Sequence, residues 1–122
     1  WQAALCDEVM DAVEDIGTKI VATFDLPEAE KKAQRETLAA GPLLFYLTRL
    51  QERLAAQGGR YFADDRLTVA DLRVFVWIRH LRSGALDHVP ADLPDRVAPG
   101  LVAHCERVAG HPGVKAYYAA RG

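Results

Sequence analysis

Two polar residues, Thr68 and Asp71, stand three positions apart at the head of LTVADLRVFVWIRHL, Leu67 to Leu81, a run otherwise apolar on almost every side. A hydroxyl and a carboxylate at this spacing raise the question of an active site. The same spacing also begins helices. A Thr at the N-cap accepts a hydrogen bond from an orphan backbone N–H of the first turn, and an acidic residue at the third helical position reaches back to the cap's own N–H. Leu67 before the cap and Leu72 four positions into the helix fit the hydrophobic staple that fixes the entry angle. Catalysis by Asp71 would need a base or nucleophile nearby, and its sequence neighbours supply none. Thr68 and Asp71 are therefore read as structural capping residues that start a buried helix.

Other reactive side chains give weaker signals. His80, His88, His104 and His111 are scattered, none with a partner at the three- or four-residue spacing of a helical metal site, and the adjacent His104 and Cys105 point apart. No metal is expected. Cys6 sits beside Asp7 and Glu8, the reverse of the electropositive setting that activates a thiol, and reads as inert. Phe75, Val76 and Trp77 are expected in the core, and Tyr117 and Tyr118 are read as packing, although they could reach a pocket mouth.

These residues need elements to hold them, and the sequence pattern predicts helices throughout. Leu5, Val9, Ala12, Val13, Ile16, Ile20 and Phe24 recur at steps of three and four across Trp1 to Phe24, opposite a face of Asp7, Glu8, Asp11, Glu14, Asp15 and Thr18. Pro27 ends that segment. A second helical run covers Glu28 to Gln57, with Leu43, Leu47, Leu50 and Leu54 on one stripe beside Leu44 and Phe45; Gly41-Pro42 should kink or divide it, and Gly58-Gly59 should stop it. The loop Arg60 to Asp65 leads into the Val69 to Ser83 helix, stopped by Gly84. Short helical turns follow between Leu86 and Pro99, then helices over Gly100 to Ala109 and Gly113 to Arg121. No segment of six residues alternates at period two, so the fold class is all-α, a bundle of about five to six helices.

With 122 residues, half of them apolar, the chain is one domain with room for a real core. Fifteen basic against seventeen acidic residues, mixed along the chain, leave a net charge of −2 and no basic block to track a phosphate backbone, which argues against nucleic acid. The longest apolar stretch is broken by Asp71, Arg73, Arg79 and His80 and falls short of the roughly 20 residues of a membrane span. Two isolated thiols without CxxC spacing suit a reducing, cytoplasmic setting. The chain begins on Trp1 rather than Met, as expected for a piece of a longer protein.

The LTVADL box opening a buried helix, the double-glycine stop before it and the terminal HPGVKAYYAAR together resemble the all-helical C-terminal domain of cytosolic glutathione transferases. The resemblance covers the whole chain, residues 1–122, and VMDAVEDIGTKI with GPLLFYLTRLQERL looks most like the sigma class. It implies a homodimer and a preceding thioredoxin-like domain in the same protein, which supplies most of the glutathione site and a Tyr hydroxyl for the thiolate. It implies no catalytic residue within these 122. By position Asp15 matches the carboxylate that reaches across the dimer to the glutamyl amine of glutathione bound by the neighbouring subunit. Glu14, Gly17, Thr18 and Val21 match the side of the first helix that lines the pocket for a small electrophilic substrate. Glu14 departs from the apolar residue common there in the mu class. The same domain type also serves as a non-catalytic interaction or assembly module. Taken alone, the chain should expose the apolar face that meets its missing partner and tend to self-associate.

Overall fold

The computed structural model describes residues 2–63 and 65–121; Trp1, in the predicted first helix, and Asp64, in the predicted loop, lie outside them. Seven helices account for the described residues: α1 (Gln2–Val21), α2 (Glu28–Ala40), α3 (Pro42–Ala56), α4 (Val69–Arg82), the single turn α5 (Leu93–Val97), α6 (Pro99–Ala109) and α7 (Pro112–Arg121). The fold is all-α as expected: Gly41-Pro42 divides the long second run, and one of the expected helical turns between Leu86 and Pro99 is the single-turn α5. Pro42 takes the first position of α3, where its missing N–H costs nothing.

α4 is the hub. It packs against α6 and α1, while α3 closes on α1, α2 and α6. The predicted stripes meet in one core: Val9, Val13, Ile16 and Ile20 from α1, Leu43, Leu47, Leu50 and Leu54 from α3, Val74, Phe75, Trp77, Ile78 and Leu81 from α4, and Leu101 and Val108 from α6. Gly58 and Gly59 both take positive φ, 99° and 84°, to turn the chain out of α3. A side chain at either position would be strained.

Two expectations about burial fail. Val76 is not core but 55 % exposed, because α4 buries its flanks against α1 and α6 and leaves a third side bare along Val69, Leu72 and Val76. Phe24 does not extend the α1 stripe: the helix ends at Val21, and the exposed Phe24 ring instead lies 4.9 Å beneath the Arg35 guanidinium. Arg35 is itself buried, its Nε donating to the Thr23 hydroxyl at 2.9 Å and Nη1 to the Asp87 carbonyl at 3.3 Å, which ties the α1–α2 turn to the loop after α4.

Candidate functional site

The first turn of α4 is held by a capping box, Thr68 and Asp71 serving each other's backbone groups. The Asp71 carboxylate does more than cap. Its Oδ2 accepts from the Thr68 N–H at 2.8 Å and the Thr68 hydroxyl at 2.9 Å, while Oδ1 accepts from the Phe62 N–H at 3.0 Å and lies 2.8 Å from His104 Nε2. Burial alone would raise this carboxyl's pKa; the bonds from His104, from the backbone of Thr68 and Phe62 and from the Thr68 hydroxyl outweigh it and hold the group below the ordinary carboxylate value. A base does face Asp71, but, consistent with the lack of one among its sequence neighbours, it comes from α6, 33 residues away. Neither side chain has any surface to offer a substrate. The pair is structural. Its staple is looser than expected: Leu67 is half-buried and Leu72 exposed, the two sharing one groove wall.

A more accessible surface lies further along the seam between α1 and α4. Cys6 near the start of α1 donates its thiol to Thr68 Oγ1 at 3.7 Å, so α1 and α4 run side by side in the same direction. Between them opens a groove of about 720 Å³. That is ample for a small organic ligand. Glu14, Gly17, Thr18 and Val21 all line it, one stripe at steps of three and four, with Val13 behind them. α4 answers with Arg73, Val76, Trp77 and His80 at the same spacing. The floor is apolar and the rim polar. Gly17 opens directly on the groove: a Cβ there would meet no protein atom within 4 Å. A neighbouring helix therefore does not explain the glycine, and no other contact in the structure requires it. The Thr18 hydroxyl is turned back to the Glu14 carbonyl at 3.0 Å.

Asp15 stands apart from these four. It is exposed on the flank of α1 that faces α3, where its Oδ2 accepts the Tyr46 hydroxyl proton. That bond holds the Tyr46 phenol above its ordinary pKa. The structure thus gathers Glu14, Gly17, Thr18 and Val21 on one groove and leaves Asp15 on another face of the same helix.

Tyr117 and Tyr118 pack edge-on against each other, and Tyr118 against Phe75, but both also reach the surface. They are 53 % and 36 % exposed and, with Leu67, Leu72, Phe75, Val76 and Val114, line a second, more apolar groove of about 420 Å³ between α4 and α7. Arg79 stacks over Tyr118 at 4.5 Å. Val76 lines both grooves, on the bare side of α4. Cys105 is buried, and burial pushes its thiol pKa up. Cys6 is half-buried. Among the described residues no three His, Cys, Asp or Glu side chains are placed to hold a metal ion. No described helix is long and apolar enough to cross a membrane.

The domain is an all-helical bundle centred on a capped α4, with an open groove beside its first helix. The family described as glutathione S-transferase, C-terminal domain, matches residues 14–121. The chain belongs to that family, whose members use glutathione.

Sequence reasoning missed the α4 half of the groove. The signal was present, since Arg73, Val76, Trp77 and His80 repeat the spacing of the α1 stripe.

Proposed function

We infer that residues 1–122 are the helical domain of a dimeric, cytoplasmic, sigma-like glutathione transferase. A thioredoxin-like domain earlier in the same protein supplies most of the glutathione site, and this domain supplies the wall of the electrophile pocket. Glutathione's thiol, its pKa lowered by a hydrogen bond to the thiolate form, attacks a small electrophile or assists its isomerisation. Glu14, Gly17, Thr18 and Val21 hold that electrophile. Asp15 reaches across the homodimer to the glutamyl ammonium of the glutathione bound by the neighbouring subunit, a charge-assisted contact that fixes the tripeptide's orientation. The observation that carries the reading is the convergence of all four pocket residues on one open, apolar-floored groove with Gly17 unfilled at its centre.

The test is made on the full-length native protein. It is expected to be retained on immobilised glutathione and to conjugate 1-chloro-2,4-dinitrobenzene, with Gly17→Leu raising the KM for that electrophile and leaving the KM for glutathione in place. A protein that is not retained and does not turn over supports the second reading, a non-catalytic assembly module. The bare apolar side of α4 at Val69, Leu72 and Val76 suits that alternative too, since a partner protein or the thioredoxin-like domain could cover it.

A further inference from the structure

We propose that Tyr46 is the positioning residue for Asp15, clamping one carboxylate oxygen so that the other is presented to the glutathione ammonium. The inference rests on the reading of Asp15 as a glutathione contact.

An exposed aspartate on a helix flank samples several rotamers, and a ligand that needs one of them must meet the cost of selecting it. Asp15 is spared that cost. Tyr46, near the start of α3, donates its hydroxyl proton to Asp15 Oδ2. The donor is rigid at its base: the Tyr46 ring packs against the hydrophobic core and meets the Phe45 ring edge-on, centroids 5.5 Å apart and planes at 80°. Beyond the ring, the α1–α3 groove is lined by Val9, Ala12 and Leu50 and by the Arg53–Glu8 ion pair. Only the phenol oxygen reaches the surface carboxylate. With its pKa raised by the same bond, the phenol stays a donor at neutral pH.

A carboxylate accepts through two oxygens, so a bond to Oδ2 leaves Oδ1 for an ammonium. Tyr46 carries no charge and so does not neutralise Asp15, as a lysine or arginine in its place would. The arrangement keeps the full negative charge while removing its rotational freedom. That combination suits a contact made only when a cationic group arrives.

The test uses the full-length protein and two ligands, glutathione and its analogue N-glutaryl-cysteinylglycine, which lacks the amine. Titration calorimetry gives the affinity of each for wild type, Tyr46→Phe, Asp15→Ala and the double variant. Tyr46→Phe keeps the ring and removes only the donor. It is expected to weaken glutathione binding about fivefold, near the value of one modest hydrogen bond. Asp15→Ala is expected to weaken it by tenfold or more, with the double variant no worse than Asp15→Ala alone. The analogue's affinity should be the same for all four proteins. If Asp15→Ala leaves glutathione binding unchanged, the underlying reading of Asp15 falls and the clamp with it. If Asp15→Ala weakens binding but Tyr46→Phe does not, the clamp alone is overturned. Equal weakening of both ligands by Tyr46→Phe also overturns it, since the effect would then come from packing.

Discussion

His104 Nε2 lies 2.8 Å from Asp71 Oδ1, and both side chains are fully buried. The contact joins the middle of α6 to the first turn of α4, the two helices that form the central packing of the domain. It turns a local cap into a tertiary fastening. An isolated cap is worth on the order of 1 kcal/mol. Here Asp71 also satisfies the Phe62 N–H and His104, so its removal strands several buried donors at once. Asp71→Ala is therefore expected to cost about 3–5 kcal/mol, the range for breaking a buried polar pair. Urea denaturation measures it directly. A loss near 1 kcal/mol would mean that Asp71 acts only as a helix cap.

The same carboxylate should make stability depend on acid. In the folded chain Asp71 is held below its ordinary value, near 3.8, because its four hydrogen bonds outweigh the opposing effect of burial. The unfolded chain therefore takes up the proton first as pH falls, so stability rises with pH through this window. The contribution is complete above the unfolded value and disappears as pH drops through the lower folded one. Asp71→Asn has no such proton to gain. Plotted from about pH 6 to pH 2, the stability difference between wild type and Asp71→Asn is expected to be constant at first and to shrink below about pH 4.5. Parallel curves across the whole range would show that the carboxylate is not ionised in the fold.

What could be read without coordinates followed the range of each interaction. The cap at Thr68, the stripe Leu43-Leu47-Leu50-Leu54 and the break at Gly41-Pro42 depend on neighbours three or four residues away, and the sequence displays these directly. The partnership of Asp71 with His104 spans 33 residues and carries no periodic signal. Val76 was misjudged for a different reason. A helix apolar on all sides reads as buried on all sides, yet α4 has packing neighbours on only part of its circumference. On α1 the candidate pocket residues were legible because Glu14, Gly17, Thr18 and Val21 fall on one face whatever packs nearby. The hydrogen bond from Tyr46 to Asp15 was not, since it depends on how α3 folds back along α1.

Gly17 offers a test in which stability and binding move in opposite directions. A glycine inside a helix costs about 1 kcal/mol relative to alanine, and the groove leaves room for the extra carbon. Gly17→Ala is expected to raise stability by up to about 1 kcal/mol, seen as a higher urea midpoint. In the full-length protein the same methyl narrows the electrophile groove and should raise the KM for bulky electrophiles while sparing small ones. A variant that is stabilised with no change in KM for any electrophile would remove Gly17 from the pocket wall.

The bare side of α4 should govern how the 122-residue chain behaves in isolation. Val69, Leu72 and Val76 lie on one face, 52 %, 39 % and 55 % exposed, and Tyr117 extends the apolar surface across the neighbouring groove. Covering partly exposed side chains of this kind gains less per residue than a full core contact, but several together favour self-association. Sedimentation velocity is expected to show species heavier than the 13.4 kDa monomer, increasing with concentration. Val69→Glu with Val76→Lys should disperse them. The acid joins the first turn of α4, where the helix dipole favours negative charge, and both changes spare Leu72. Because neither residue is buried, the pair should leave the urea midpoint within about 0.5 kcal/mol of wild type. If the wild-type chain sediments as a single stable monomer at all concentrations, this face is not adhesive. Association that survives the double substitution would place the contact elsewhere, with the exposed Phe45 and the α1–α3 groove the next surface to alter.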